Sequence, residues 1–162
     1  MLISSTSVNK LAEYVENRDE VFCSGLFLSA RWMVISQLDR LGIQMIVLPD
    51  RDSAEYCAAD LYHLIEGDRV YFLPDSGKNL ERSNYKSSLG VQRTSAIGKI
   101  LDYTEGQLVI VSYPSALEEG IPQEDKIRQS VMRLKVGDEI SHDEIISSLF
   151  DSGFQRVDFV GE

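Results

Sequence analysis

The sequence predicts an α/β protein built on a parallel sheet with helices on both faces. Three observations lead to this class. Short apolar runs alternate along the chain with longer segments of helical periodicity. The runs at residues 44–48 and 107–111 are apolar without alternation, as expected for strands that helices cover on both sides. A further short run at residues 21–23 leads into a glycine and then a helical pattern, which is the order of a phosphate-binding (P-loop) unit.

Local signals place the elements of the first domain. Gly42 is suited to end the helix predicted at residues 28–41. Asp52 or Ser53 is suited to cap the following helix, and Pro114 is suited to begin the helix predicted at residues 114–117. The polar segment 74–90 predicts a long loop with one helical turn at most. Helices are expected at residues 8–18, 28–41, 52–66, 91–103 and 114–117, and strands at residues 21–23, 44–48, 70–73 and 107–111.

The composition changes near residue 122, so we divide the chain into a first domain, residues 1–122, and a second segment, residues 123–162. The second segment predicts strand 131–136, helix 143–150 with a capping box from Ser141 to Glu144, and strand 156–160. Such a piece is too small to bury a core by itself. We therefore expect it either to lean on the first domain or to be the start of a small, truncated α+β domain with an uncovered strand edge.

The net charge and the cysteine content limit which functions this chain is expected to have. The net charge of −10 argues against free nucleic-acid binding and suits a protein that docks basic surfaces. Cys23 and Cys57 are expected to be buried, reduced thiols of a cytoplasmic protein. His63 and His142 lie far apart and no paired-cysteine motif is present, so we expect no metal site. No apolar run approaches membrane-spanning length, and no signal peptide is recognised.

The predicted phosphate-binding loop has lost most of its functional residues. The template is G-x-x-x-x-G-K-[ST] between a strand and a helix, with glycines to admit the phosphates and a hydroxyl to hold Mg²⁺. Gly25 keeps the first glycine, and Ser29 precedes the second glycine position, which Ala30 occupies. Arg31 replaces the lysine and Trp32 replaces the hydroxyl. We therefore expect no bound cofactor and no metal here, and an ordinary strand–turn–helix junction is the other interpretation.

Candidate catalytic chemistry is sparse. No serine elbow is present and neither histidine lies near a strand-end nucleophile, so no catalytic residue is assigned. Asp50 and Asp52 follow a strand, where ligand-binding residues gather in parallel sheets, but they equally suit the positive end of the next helix. The helix-start interpretation is favoured.

Several segments carry motifs of a known family. These are VIVSYPSAL at residues 109–117, LKVGDEI at residues 134–140 and GFQRVDFVGE at residues 153–162. Together with the loop in which an arginine replaces the lysine, they resemble the N-terminal UvrB-homology module of bacterial transcription-repair coupling factors (Mfd). In that family the last motif continues into P-G-E-[FY]-x-x-R-G, so the chain looks like an N-terminal fragment. Residues 74–90 depart from the family's usual W-E-x-x-P-Y-D region.

The resemblance implies a docking and regulatory role without catalysis in this part of the protein. In the family, the second domain binds UvrA, whereas the ATP- and Mg²⁺-dependent DNA translocase and the RNA-polymerase-binding domain lie further along the chain. Most UvrA-contacting residues of the family fall beyond residue 162, which leaves Arg156 and Asp158 as the candidate partner-binding residues here.

Two other functions remain open. The first is a nucleotide- or cofactor-binding α/β enzyme domain, including a UvrB-type helicase domain. UvrB itself carries an intact phosphate-binding loop and a tyrosine-rich hairpin, neither of which is found in this sequence. The second is a general α/β interaction domain.

Overall fold

This computed structural model of the protein describes residues 5–17, 20–77, 83–130, 136–137, 139 and 141–151. Its helices are α1 (Ser5–Glu16), α2 (Ala30–Ile35), α3 (Arg51–Leu64), α4 (Ser83–Leu101), α5 (Pro114–Glu118), α6 (Glu124–Ser130) and α7 (His142–Asp151). Its strands are β1 (Ile43–Val47), β2 (Val70–Phe72) and β3 (Leu108–Ser112). The chain divides into two compact units, Met1–Gly120 and Ile121–Glu162.

The three strands form one parallel sheet in the order β1-β3-β2, which confirms the predicted α/β class. β3 lies in the centre, with Ile43 of β1 paired to Leu108 and Val70 of β2 paired to Val109. All five residues of β3 are buried. This explains why its sequence is a continuous apolar run ending in one serine, since a central parallel strand is covered on both faces.

Helices cover both faces of the sheet at β3, as predicted. Successive side chains of a strand point to opposite faces. Val109 and Val111 belong to the cluster that contains the buried residues of α3, whereas Leu108 and Ile110 pack with Ala96 of α4. The helix α3 therefore lies on one face and α4 on the other.

The prediction that the run 44–48 is covered on both sides is wrong. Ile43, Met45 and Val47 of β1 are exposed. One face of this edge strand is therefore uncovered.

The strand predicted at residues 21–23 is wrong, and the sheet has three described strands where four were expected. Residues 20–24 are irregular, the side chain of Phe22 is 94% exposed, and Cys23 is exposed although burial was predicted. Three apolar residues supply too few ladder hydrogen bonds to fix a strand without a tertiary partner. The prediction for Cys57 is confirmed, because this thiol is buried on α3.

Helix boundaries differ from the predictions in four places. The first helix, expected at residues 8–18, is α1, which begins at Ser5 and ends at Glu16. The helix expected at residues 28–41 is the short α2 followed by a 3₁₀ turn, Asp39–Leu41. Asp50 caps α3, in place of Asp52 or Ser53: its carboxylate accepts a hydrogen bond from the Ser53 amide at 2.8 Å. The loop expected up to residue 90 is shorter, since α4 begins at Ser83. Pro114 begins α5 as predicted.

In the second unit, the structure describes α6 and α7. The helix α6 occupies the segment where a domain boundary was placed, and α7 confirms the helix predicted at residues 143–150. A carboxylate oxygen of Glu144 accepts a hydrogen bond from the Ser141 amide at 3.3 Å, which is one half of the predicted capping box. The predicted strands at residues 131–136 and 156–160 lie outside the described residues, except Val136, which is in a turn.

Candidate functional site

The loop that resembles a phosphate-binding motif does not follow a strand. It runs from irregular residues 20–27 into α2, with Gly25 at φ +77° and Leu28 at φ +48°. A Cβ added to Gly25 would meet nothing within 4 Å. The glycine is therefore needed for its backbone angle and not for a close approach of another group.

Polar groups of the loop bind to the protein itself. The Ser29 hydroxyl donates to a carboxylate oxygen of Asp60 on α3 at 2.9 Å. Nε of Arg31 donates to the Leu28 carbonyl at 3.4 Å, and the guanidinium carbon lies 4.6 Å from the centre of the Trp32 ring. Arg31, the residue at the lysine position of the template, is thus held along its own helix.

Trp32 belongs to the core of the first unit. It is 7% exposed and packs in the cluster of α3 and β3. A pocket of about 370 Å³ behind the loop is lined by Gly25, Arg31, Trp32 and otherwise mainly apolar side chains. Because α2 contains only six residues, its N-terminus offers a weak dipole to an anion.

A polar cluster that the sequence analysis missed lies where the three strands end. Arg51 follows β1, Asp75 follows β2 and Tyr113 follows β3. One guanidinium nitrogen of Arg51 lies 2.7 Å from both carboxylate oxygens of Asp75. Nε of Arg51 donates to the Tyr113 hydroxyl at 3.0 Å, and that hydroxyl donates to Asp75 at 2.9 Å. Each residue of this strand-end cluster contacts the other two.

The cluster holds its carboxylate ionised. Burial raises the pKa of Asp75, but hydrogen bonds from the Gly77 amide, Tyr113 and Arg51 outweigh burial, and the net shift of the pKa is downward. Burial also raises the pKa of the Tyr113 hydroxyl. The pair therefore consists of a charged carboxylate and a neutral phenol at neutral pH.

A pocket of about 550 Å³ opens beside this cluster. Asp50, Ser115 and Glu118 line it together with the cluster residues. This is the edge of a parallel sheet where ligands bind in many α/β proteins. However, the cluster residues are already hydrogen-bonded to one another, so their polar groups stabilise the strand ends and are not arranged around an empty centre.

Arg93 of α4 also forms hydrogen bonds at the carboxyl edge of the sheet. Its side chain is buried, and its guanidinium donates to the carbonyls of Pro74 at 2.7 Å, Ala116 at 3.1 Å and Glu119 at 2.9 Å. The last two carbonyls lie at the C-terminal end of α5, where backbone acceptors have no partner within the helix. Arg93 thus joins the end of β2 to the end of α5.

The remaining predicted residues divide into two groups. Arg156 and Asp158, the candidate partner-binding residues, lie outside the described residues. Asp50 lies at the start of α3, which is the interpretation favoured from sequence, although the cap itself was predicted at Asp52 or Ser53. Burial raises the pKa of the Cys57 thiol to about 12. Within the ranges that the structure describes, no group of side chains could hold a metal ion, and no helix is long and apolar enough to cross a bilayer.

Comparison with protein-family models gives no match to this chain, and comparison with curated proteins gives none either.

Proposed function

We propose that this chain is the N-terminal docking and regulatory module of a transcription-repair coupling factor. Such a factor removes RNA polymerase stalled at DNA lesions and recruits UvrA for nucleotide excision repair. The module itself is non-catalytic. The observation that carries the proposal is the state of the degenerate loop: Arg31, at the lysine position, is bound to the Leu28 carbonyl and stacked on Trp32.

That arrangement supports a module that lacks the chemistry of a nucleotide-binding loop. The phosphate-binding mechanism needs a second glycine, a lysine that reaches the phosphates and a hydroxyl for Mg²⁺. Ala30, Arg31 and Trp32 replace all three. Trp32 is also part of the core, so restoring a hydroxyl there would leave a cavity in the packing against α3.

The partners and cofactors follow from the same resemblance. UvrA is the proposed partner, bound through the second domain with Arg156 and Asp158 as the contact candidates in this chain. RNA polymerase and DNA are partners of later domains of the full-length protein, which also contain the motor that uses ATP and Mg²⁺. The acidic charge of −10 suits docking onto basic protein surfaces, and the proposed location is the cytoplasm.

Binding to UvrA tests this proposal directly. We would immobilise the chain and titrate it with UvrA from the same cell, using UvrB as a competitor. The proposal predicts saturable binding that UvrB displaces, and a weakening of about tenfold in the Arg156→Ala, Asp158→Ala double variant. Binding that UvrB does not displace, or that the double variant leaves unchanged, would contradict it. The Glu118→Gln variant, on the first unit, is the matched control and is expected to bind as the unmodified chain does.

One observation favours the alternative of a nucleotide- or cofactor-binding enzyme domain, which includes a UvrB-type helicase domain. It is the pocket at the carboxyl edge of the sheet, lined by Arg51, Asp75 and Tyr113. A thermal-shift series with Mg²⁺·ATP and other nucleotides separates the two functions. A concentration-dependent rise in melting temperature would favour the enzyme domain, because a ligand that binds only the folded state stabilises it.

A further inference from the structure

An apolar pocket lies behind the loop that precedes α2. Its volume is about 370 Å³, and Trp32, Leu38 and Ile46 are among its lining side chains. An apolar cavity of about 150 Å³ is large enough to hold benzene, so this pocket has room for a phenyl ring. Water against apolar walls costs free energy, and an apolar group that displaces it is therefore favoured.

Two aromatic residues of the loop are next to this pocket in sequence, but their side chains are exposed. Cys23 and Leu26 contribute to the lining of the pocket. Their neighbours Phe22 and Phe27 are 94% and 79% exposed, and Leu28 is exposed as well. Large apolar side chains in contact with water are unfavourable. The loop thus holds a phenyl ring outside a pocket that such a ring would fill.

Phe27 lies between two residues with left-handed backbone angles. Gly25 has φ +77° and Leu28 has φ +48°. Glycine adopts such angles freely, and a Cβ at Gly25 would meet nothing within 4 Å, so this residue has room to rotate. In leucine the same region is strained, because the Cβ approaches the following carbonyl oxygen. Rotation of Leu28 to a negative φ therefore relieves strain and redirects the chain before α2.

Few hydrogen bonds oppose this rotation. Within the part of the chain that the structure describes, two hydrogen bonds hold the backbone of residues 20–28. The Ala30 amide donates to the Phe27 carbonyl at 3.1 Å, and Nε of Arg31 donates to the Leu28 carbonyl at 3.4 Å, which is a long hydrogen bond. Both lie at the start of α2, where water also serves as a partner for backbone groups.

We propose that residues 25–28 form a lid, which closes when Leu28 leaves its left-handed angle and the Phe27 ring enters the pocket against Leu38 and Ile46. The structure shows the open state. In the closed state the ring covers Trp32 from the side of the pocket, and the loop exposes less apolar surface. The lid thus switches this surface between a state that displays Phe27 and one that hides it. It needs only the loop and the pocket, and it does not depend on the function proposed above.

NMR spectroscopy of the intact chain with labelled methyl groups tests the lid. We expect nuclear Overhauser effects from the Phe27 ring to methyl groups of Leu38 and Ile46. We also expect microsecond-to-millisecond exchange at residues 25–28, which is the timescale of lid motions. The proposal requires both results, and the absence of either would overturn it. The Phe22 ring is the matched control, since it is equally exposed but lies outside the two hinges, and contacts from it to the same methyl groups would also overturn the proposal.

Three variants separate the lid from other motions of the loop. Leu28→Gly adopts the left-handed angle without strain, so we expect the closed population to fall about tenfold in relaxation-dispersion measurements. Phe27→Ala removes the ring and is expected to abolish exchange at the methyl groups of Leu38 and Ile46. Phe22→Ala is the control and is expected to change the closed population by less than about twofold.

The amide spectrum of β3 checks that each variant is folded. A closed population that Leu28→Gly leaves unchanged would show that the angle of Leu28 is not the hinge and would overturn the proposal. Exchange at Leu38 and Ile46 that persists in Phe27→Ala would do the same, because the ring would then not be the group that enters the pocket.

Discussion

Replacing Arg93 by methionine is expected to destabilise the first unit strongly. The methionine keeps most of the apolar stem but removes the guanidinium, which donates three hydrogen bonds to the carbonyls of Pro74, Ala116 and Glu119. The Arg93 side chain is 8% exposed, so water has little access to replace these donors. The variant therefore leaves several carbonyls at the carboxyl edge of the sheet without a partner.

The expected loss in the free energy of unfolding is worked out from those three carbonyls. An acceptor left without its partner in a buried site costs about 1–3 kcal/mol. Removing the buried charge itself recovers part of this cost, because a buried ion carries a desolvation penalty. We therefore expect Arg93→Met to lower the free energy of unfolding by about 3 kcal/mol, which is a large fraction of the stability of a small domain. Arg93→Lys is expected to cost about 2 kcal/mol, since one ammonium group cannot reach all three carbonyls.

Urea denaturation followed by tryptophan fluorescence measures this change. Trp32 is the single tryptophan and lies in the core of the first unit, so its signal reports unfolding there. Lys99→Met is the matched control on the same helix, because its ion pair with Asp68 is exposed and should contribute less than about 1 kcal/mol. A loss of less than about 1 kcal/mol in Arg93→Met, with an unchanged m value, would refute the role assigned to Arg93.

Three further results are expected. Asp50→Ala should lower the free energy of unfolding measured by urea denaturation, because the hydrogen bond that caps α3 at the Ser53 amide is lost, whereas Asp52→Ala should lower it less; equal losses would contradict the capping geometry. Asp75 has a lowered pKa in the folded state, so its contribution to stability is present above its ordinary value of 3.8 and is lost as the pH falls through the folded value; Asp75→Asn should remove this part of the acid dependence measured by urea denaturation between neutral and acidic pH. A maleimide reagent should label exposed Cys23 rapidly in the native protein and buried Cys57 only after unfolding, and mass spectrometry showing rapid labelling of both would contradict the burial of Cys57.

The sequence predicts the buried strand β3 correctly, whereas it fails for residues 21–23 and for the start of α4, whose structure depends on distant contacts. The run at β3 reads as a strand because burial on both faces requires apolar residues throughout. Residues 21–23 are equally apolar, but nothing local says that this short run has no neighbour to pair with. The start of α4 was missed because its first residues are weak helix formers, and contacts made later in the helix, at buried Leu89 and Arg93, favour the helical state.

The strand-end cluster could not be found from spacing. Arg51 and Asp75 are separated by 24 residues, and Asp75 and Tyr113 by 38, so no local pattern joins them. The sequence did contain a usable signal: each of the three residues follows a predicted strand by two or three positions, and parallel strands end at one edge of the sheet. Combining that rule with the predicted parallel order would have brought the three residues together.

Calorimetric titration with Mg²⁺·ATP tests most directly the central proposal, that the degenerate loop of this chain binds no nucleotide. The account predicts no saturable heat at ATP concentrations up to about 1 mM, because Ala30, Arg31 and Trp32 replace the groups that hold the phosphates and the metal. Micromolar affinity for ATP that disappears when Mg²⁺ is removed would contradict it.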